Sequence, residues 1–112
     1  MKVIKFAESP IKVNPHGVDV RSMYDRDNAQ VNVVSLLPGQ TLKPHITQTE
    51  VIFYVLEGSP SIRVGEITEQ VVKDALVESP SGIIHCISNN DETIARVLVI
   101  KAPRPSDTAR LL

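Results

Sequence analysis

Residues 39–58 read Gly39-Gln-Thr-Leu-Lys-Pro-His45-Ile-Thr47-Gln48-Thr49-Glu50-Val51-Ile-Phe-Tyr-Val-Leu-Glu57-Gly58. A glycine stands at each end, where a side chain would block a tight reversal of the chain. A β-branched and aromatic run fills the second half and predicts a strand over Val51–Glu57. Strand alternation places residues 45, 47 and 51 on one face if no bulge intervenes. The stretch therefore predicts a turn-and-strand frame that holds His45.

A second stretch has the same character and reads Asp74-Ala-Leu-Val-Glu-Ser-Pro80-Ser-Gly82-Ile-Ile-His85-Cys86-Ile-Ser-Asn89. Pro80 and Gly82 fix the loop that leads into the strand carrying His85. His45 and His85 are far apart in the sequence, but a closed barrel can bring both to one interior. We therefore predict that the two imidazoles meet in the same cavity.

The rest of the chain consists of short β-branched segments separated by turn residues. Gly65-Glu66 predicts a tight hairpin, because glycine supplies the positive φ that a primed turn requires. No window carries a helical spacing of apolar residues over three turns. This pattern is typical of a β-sandwich or β-barrel. The predicted strands are Val3–Phe6, Val18–Ser22, Gln30–Leu37, Val51–Glu57, Ser61–Val64, Glu69–Val72, Ala75–Glu78, Ile83–Ser88 and Thr93–Lys101.

Composition limits the possible classes of protein. The 112 residues are enough for a single domain, residues 1–112, with one core, and residues 102–112 form a proline-containing tail expected to leave the barrel. A net charge of -1 with scattered Lys and Arg excludes a nucleic-acid footprint. No segment approaches the roughly 20 apolar residues that span a bilayer, and the start lacks the apolar core of a signal peptide. We expect a cytoplasmic protein that has no role at membranes.

The two stretches together resemble the two conserved motifs of the cupin family. The first motif has the pattern G-x5-H-x-H-x3or4-E-x6-G, and here Gly39, His45 and Gly58 match it. Thr47 occupies the position of the second histidine. Val51 occupies the glutamate position, and Glu50 lies one residue earlier.

The second cupin motif has the pattern G-x5-P-x-G-x2-H-x3-N, which Pro80, Gly82, His85 and Asn89 match. Asp74 takes the place of the leading glycine, unless a one-residue bulge shifts Lys73-Asp74 into the family's usual Gly-Asp turn. The resemblance covers residues 39–58 and 74–89 and implies an all-β fold, a small jelly-roll or double-stranded β-barrel. In small cupins the N-terminal strand often crosses to a second subunit, so the resemblance also implies a homodimer.

Cupins with the complete motif bind a divalent metal through three histidines and one glutamate. The resemblance predicts a reduced metal site of His45, Glu50 and His85, with Mn, Fe, Zn or Ni as candidate ions. Glu50 would need a β-bulge between Thr47 and Val51 to turn inward. On a regular strand its carboxylate faces solvent, and the histidines then bond to Thr47, Gln48 or water. Both alternatives stay open at this stage.

Two functions are compatible with these residues. One is a metal-dependent enzyme acting on a small polar molecule, such as a sugar or an oxo-acid. The other is a non-catalytic small-molecule-binding or structural dimeric cupin without metal. The sequence assigns no catalytic residue. His16 lies in the turn Asn14-Pro-His-Gly17, where a surface position is expected and a lid contact over the barrel mouth is the alternative.

Overall fold

A computed structural model describes residues 1–106 and the strand pairing of residues 110–111. Within these residues, one 3-10 turn, Phe6–Glu8, precedes ten strands. In chain order the strands are β1 (Asp19–Arg26), β2 (Ala29–Leu36), β3 (Thr41–Ile46), β4 (Glu50–Glu57), β5 (Ser61–Val64), β6 (Ile67–Gln70), β7 (Leu76–Ser79), β8 (Ile84–Ser88), β9 (Ala95–Ala102) and β10 (Arg110–Leu111).

The strands form two five-stranded antiparallel sheets. The first sheet has the order β1-β2-β9-β4-β7, and the second has the order β10-β3-β8-β5-β6. Strands that are neighbours in the chain often lie in different sheets, as in a jelly roll. The predicted all-β jelly-roll fold is confirmed. Within the described residues, no helix has the length and apolar character needed to cross a bilayer.

Most predicted strands lie within about two residues of observed ones, with three differences. Residues Val3–Phe6 form no strand, because this segment is exposed and pairs with no other strand. Strand β3 was not predicted, because Pro44 looks like a breaker. The tail returns at Arg110–Leu111 to pair with the edge of β3. Its last residue lies outside the described residues.

The core lies between the two sheets and is built almost entirely from aliphatic side chains. Alternation along β4 is regular, so Val51, Phe53 and Val55 are buried while their neighbours face outward. Leu36 from β2 and Ile87 from β8 close the space from the adjacent strands. This alternation fixes which face of each strand supplies the interior.

Two special backbone positions support the motif frame. Gly58 has φ +78°, and a Cβ there would overlap the carbonyl oxygen of Ile94 and approach Cα of Ala95 at 2.9 Å. Asp74 has φ +68°, which is the left-handed conformation that the motif's glycine would adopt. Asp74 therefore occupies the glycine position directly, with no shift of register. Asn89 caps its turn, because its amide donates to Leu36 and Thr93 carbonyls.

The Gly65-Glu66 hairpin is confirmed as predicted. Val64 pairs with Ile67 across a two-residue connection, and Gly65 has φ +62°. A glycine with positive φ at the first central position is the requirement of a type II′ turn. The hairpin joins β5 to β6, and β6 is the edge strand of the second sheet.

A β-bulge in β3 positions the first histidine. Leu42 pairs with Ile87 and His45 pairs with His85, so Lys43 and Pro44 together oppose one residue of β8. Leu42 and His45 consequently both face inward, although they are three residues apart. Proline is tolerated here because a bulged residue does not need to donate to the ladder.

Candidate functional site

A cavity of about 240 Å³ lies between the sheets, next to the segment of residues 12–16 that precedes β1. Its walls are mainly apolar, with Phe53 and Val34 from the first sheet and Leu42 from the second. Half of the lining residues carry polar or charged groups, three from the segment before β1 and four from strands. They are Lys12, Asn14, His16, Asn32, His45, His85 and Lys101. A small cavity that combines apolar walls with convergent polar groups is a usual form of a small-molecule site.

His45 and His85 meet on the wall of this cavity, as predicted. They are paired across β3 and β8, and their Nε2 atoms lie 3.0 Å apart. Both side chains are buried. The ring of Phe53 contacts His85 edge-on, with centroids 5.2 Å apart. Thr47, at the family's second histidine position, places its hydroxyl 3.4 Å from His85 Nε2.

The hydrogen bonds around the pair fix its tautomers. His45 Nδ1 lies 2.7 Å from the Lys43 carbonyl, which only accepts, so Nδ1 carries the proton and Nε2 carries the lone pair. His85 Nε2–H then donates to His45 Nε2. Its own Nδ1 accepts from the Ser79 hydroxyl at 2.7 Å. The four groups form one chain of hydrogen bonds that runs from Ser79 to the Lys43 carbonyl.

The bulge in β3 also holds a third histidine over the cavity. The backbone N–H of Lys43 donates to His16 Nδ1 at 2.8 Å, so His16 carries its proton on Nε2. The His16 and His45 rings lie 5.3 Å apart at their centroids. Asn14 ties down the turn by accepting from the His16 N–H. His16 is therefore a lid residue. The sequence favoured a surface position for His16 and left the lid contact as the alternative, because the sequence of a turn does not show what the turn packs against.

Burial keeps all three histidines neutral. Burial, followed by the charges of His45 and Lys101, lowers the pKa of His85 to about 3. The pKa of His45 is lowered mainly by burial, against the opposing effect of its bond to the Lys43 carbonyl. The pKa of His16 is lowered by burial and by the charge of His45. The imidazoles therefore act near neutrality as hydrogen-bonding groups without charge.

Glu50, the third predicted ligand, does not join the pair. Strand β4 pairs regularly with β9 from Glu50 through Val55, so the bulge that would turn Glu50 inward is not present. Glu50 is exposed, and its carboxylate accepts from the backbone N–H of Ser81. Val51, at the family's glutamate position, is buried in the apolar core. Regular strand alternation explains both placements.

The available donors do not fit a resident metal ion. Among residues 1–106, no three or more His, Cys, Asp or Glu side chains assemble as a site for an ion. Catalytic zinc sites use three protein ligands and structural sites use four. His45 and His85 supply two. His16 uses its lone pair on the Lys43 N–H, and the Thr47 hydroxyl is a weak neutral donor. The metal site of His45, Glu50 and His85 stays a prediction. The structure brings His45 and His85 together but leaves Glu50 apart from them.

The neutral histidines predict a loss of stability in mild acid. Between about pH 6.5 and pH 3, His85 is protonated in the unfolded chain but stays neutral in the native protein. The free energy of unfolding therefore decreases as pH falls. One such histidine contributes a slope of up to about 1.4 kcal/mol per pH unit. Urea unfolding across the upper part of this window measures the slope. His85→Gln should flatten it, and a wild-type stability that is constant there would contradict the assignment.

Comparison with known proteins agrees with the fold and the motif frame. The family described as "Cupin domain" matches residues 32–101. An uncharacterized protein from Streptomyces coelicolor is 37% identical over 81 residues, covering 70% of this chain and 74% of that protein. The crystal structure of TT1209 from Thermus thermophilus is 27% identical, with a TM-score of 0.81, covering 94% of this chain and 100% of that one.

A further structural neighbour is the polyketide cyclase RemF from Streptomyces resistomycificus. It is 21% identical, with a TM-score of 0.84, and the match covers 100% of this chain and 85% of that chain. At this identity the likeness concerns the fold alone. The family match spans more than half of the chain. The chain belongs to the cupin family.

Proposed function

We propose that the protein is a small-molecule-binding cupin that holds a small polar ligand against the His45–His85 pair without a resident metal ion. The observation that carries this proposal is the hydrogen-bond chain from Ser79 through both imidazoles to the Lys43 carbonyl. These hydrogen bonds give every ring nitrogen of His45 and His85 a partner within the protein. The hydrogen bond between the two Nε2 atoms can still be replaced by a hydrogen bond from either ring to a ligand.

The chemistry of the pair suits a neutral polar group. A ligand hydroxyl can donate to His45 Nε2, whose lone pair faces His85. A ligand carbonyl can instead accept from His85 Nε2–H. The apolar walls formed by Leu42, Phe53 and Val34 would exclude water and strengthen either bond. The volume of about 240 Å³ is below the usual range for drug-sized ligands and favours a small molecule.

One observation favours a metal-dependent function as the second candidate. Two imidazole nitrogens bound to one ion at about 2.1 Å would lie roughly 3.0 Å apart in octahedral geometry and roughly 3.4 Å apart in tetrahedral geometry, and the observed separation is 3.0 Å. The Ser79 hydroxyl can also reverse and accept from His85 Nδ1–H, which frees Nε2. This candidate would need further ligands beyond the two imidazoles.

Elemental analysis together with fragment binding distinguishes the two candidates. We expect purified wild-type protein to hold no stoichiometric divalent metal after dialysis against Mn, Fe, Zn or Ni salts. We expect small polar fragments to shift the ring signals of His45 and His85 by NMR in buffer with a chelator. The His45→Ala/His85→Ala double variant should lose fragment binding. One metal ion per chain, lost in the double variant, together with fragments that bind only when metal is present, would overturn the proposal.

We also propose a homodimer, as the family resemblance implies. The N-terminal segment carries exposed apolar side chains at Val3, Ile4, Ile11 and Val13. Burying them against a second copy would remove apolar surface from water. Sedimentation analysis of wild type and of an Ile11→Glu/Val13→Glu variant tests this proposal. A monomeric wild type at micromolar concentration would contradict it.

A further inference from the structure

Two lysines line the cavity, and among residues 1–106 no acidic side chain lines it. Lys12 comes from the segment that covers the mouth, and Lys101 comes from the end of β9. Lys101 alternates inward with Val97 and Val99 and pairs with Val51 and Gln30. Lys101 lines the same cavity as His45 and His85, and its charge contributes to the lowered pKa of each of the three histidines.

Among residues 1–106, no acidic side chain forms an ion pair with Lys101. The ion pairs among residues 1–106 join Arg21 to Asp19, Arg96 to Glu57 and Arg104 to Asp25, and none includes Lys101. Burial, with a smaller effect from the charge of Lys12, lowers the pKa of the Lys101 ammonium. Lys101 is half-buried, and an ammonium that is partly withdrawn from water without a partner is costly to the fold, so an anionic ligand would offset that cost.

A second polar group beside Lys101 also lacks a partner. Asn32 is 5% exposed and lines the cavity, and its Oδ1 makes no hydrogen bond among the described residues. Asn32 pairs with Val99 and Gln30 pairs with Lys101, so Asn32 and Lys101 are diagonal neighbours on adjacent strands. Buried side-chain oxygens normally have a partner, so an orphan that faces a cavity indicates a missing donor.

We propose that the cavity selects a small hydroxycarboxylate, whose carboxylate binds the Lys101 ammonium and whose hydroxyl donates to Asn32 Oδ1. This inference rests on the proposed function and adds the class of ligand to it. The histidine pair would hold the remaining polar group of the ligand. In the part of the chain that the structure describes, no Asp or Glu lines the cavity, so no described side chain there would repel a carboxylate.

Three probes of similar size test the inference by calorimetry or ligand-observed NMR. Lactate has both groups, propionate lacks the hydroxyl, and lactamide replaces the carboxylate with a neutral amide. We expect lactate to bind wild-type protein about ten- to a hundred-fold more tightly than lactamide, as for a charged hydrogen bond. Propionate should lie between them. Lys101→Met should abolish the preference for lactate over lactamide, and Asn32→Leu should abolish the preference for lactate over propionate.

Two controls separate ligand recognition from effects on folding. Lys73→Met removes one exposed lysine outside the cavity and should leave every affinity unchanged. Lys101→Met replaces a half-buried charge with an apolar side chain of similar length, so its melting temperature should equal or exceed that of wild type. A destabilised Lys101→Met protein would indicate a structural ion pair and overturn the inference.

Failure of the inference differs from failure of the proposed function. Equal binding of lactate and lactamide, or binding of neither probe while neutral fragments still shift the His45 and His85 signals, would overturn the hydroxycarboxylate assignment and leave the metal-free binding site in place. The metal analysis and the fragment binding with chelator, made on wild type and on the His45→Ala/His85→Ala variant, decide the proposed function separately.

Discussion

Gly58→Ala is expected to destabilise the protein by about 3 kcal/mol or more, because it combines backbone strain with overpacking. At φ +78° any Cβ is strained, and this one would also overlap the Ile94 carbonyl and press on Ala95. Both contacts are backbone or buried atoms of the Ile94–Ala95 segment, which cannot swing aside as a surface side chain would. Chemical denaturation of wild type and variant measures the change in the free energy of unfolding.

Gly39→Ala is the matched control for this prediction. Gly39 has φ +85°, but a Cβ there would meet nothing within 4 Å. It should therefore show the backbone strain alone, about 1 kcal/mol. Equal losses for the two variants would show that close packing at Gly58 contributes nothing, against the geometry described here.

Phe53→Ala is expected to cost about 3–5 kcal/mol, the usual range for removing a buried phenylalanine. Phe53 is 1% exposed, is among the largest fully buried side chains, and contacts the His85 ring. The deletion should also enlarge the cavity next to the histidine pair. Unfolding experiments measure the cost, and binding of an added apolar probe such as benzene would report the enlarged cavity.

The neighbouring residue provides a control on the same strand. Tyr54 faces away from the cavity, and its hydroxyl donates to the exposed carboxylate of Asp74. Tyr54→Ala should cost roughly 1 kcal/mol, since the side chain is only partly buried and its hydrogen bond lies in solvent. A Phe53→Ala loss no larger than that of Tyr54→Ala would mean that the inward face of β4 does not carry the core.

The sequence predicted the parts of the fold that depend on local chemistry. Turn residues and β-branched runs identified most strands, because each strand has its own periodicity and its own bounding glycine or proline. The meeting of His45 and His85 was also predicted, and it is confirmed by their pairing across β3 and β8. Asp74 could be assigned to the motif's glycine position only from its φ, since a one-residue shift would have fitted the sequence equally well.

The missed features depend on contacts between distant segments. Strand β3 was hidden because Pro44 in a bulge looks the same in sequence as a strand breaker. The lid role of His16 depends on the Lys43 backbone N–H that this bulge frees. Lys101 gave no signal, because a lysine at a strand end is usually solvated and only the three-dimensional structure shows the cavity it enters. Glu50 looked available because its direction depends on a bulge that the sequence neither requires nor excludes.

Heteronuclear NMR of the histidine ring nitrogens near neutral pH tests the account most directly. We expect a neutral His45 protonated on Nδ1 and a neutral His85 protonated on Nε2 in metal-free protein, and the same protonation after Zn²⁺ is added. If His85 instead carries its proton on Nδ1, with both Nε2 lone pairs directed at a bound ion, the metal-free hydrogen-bonded pair would be contradicted.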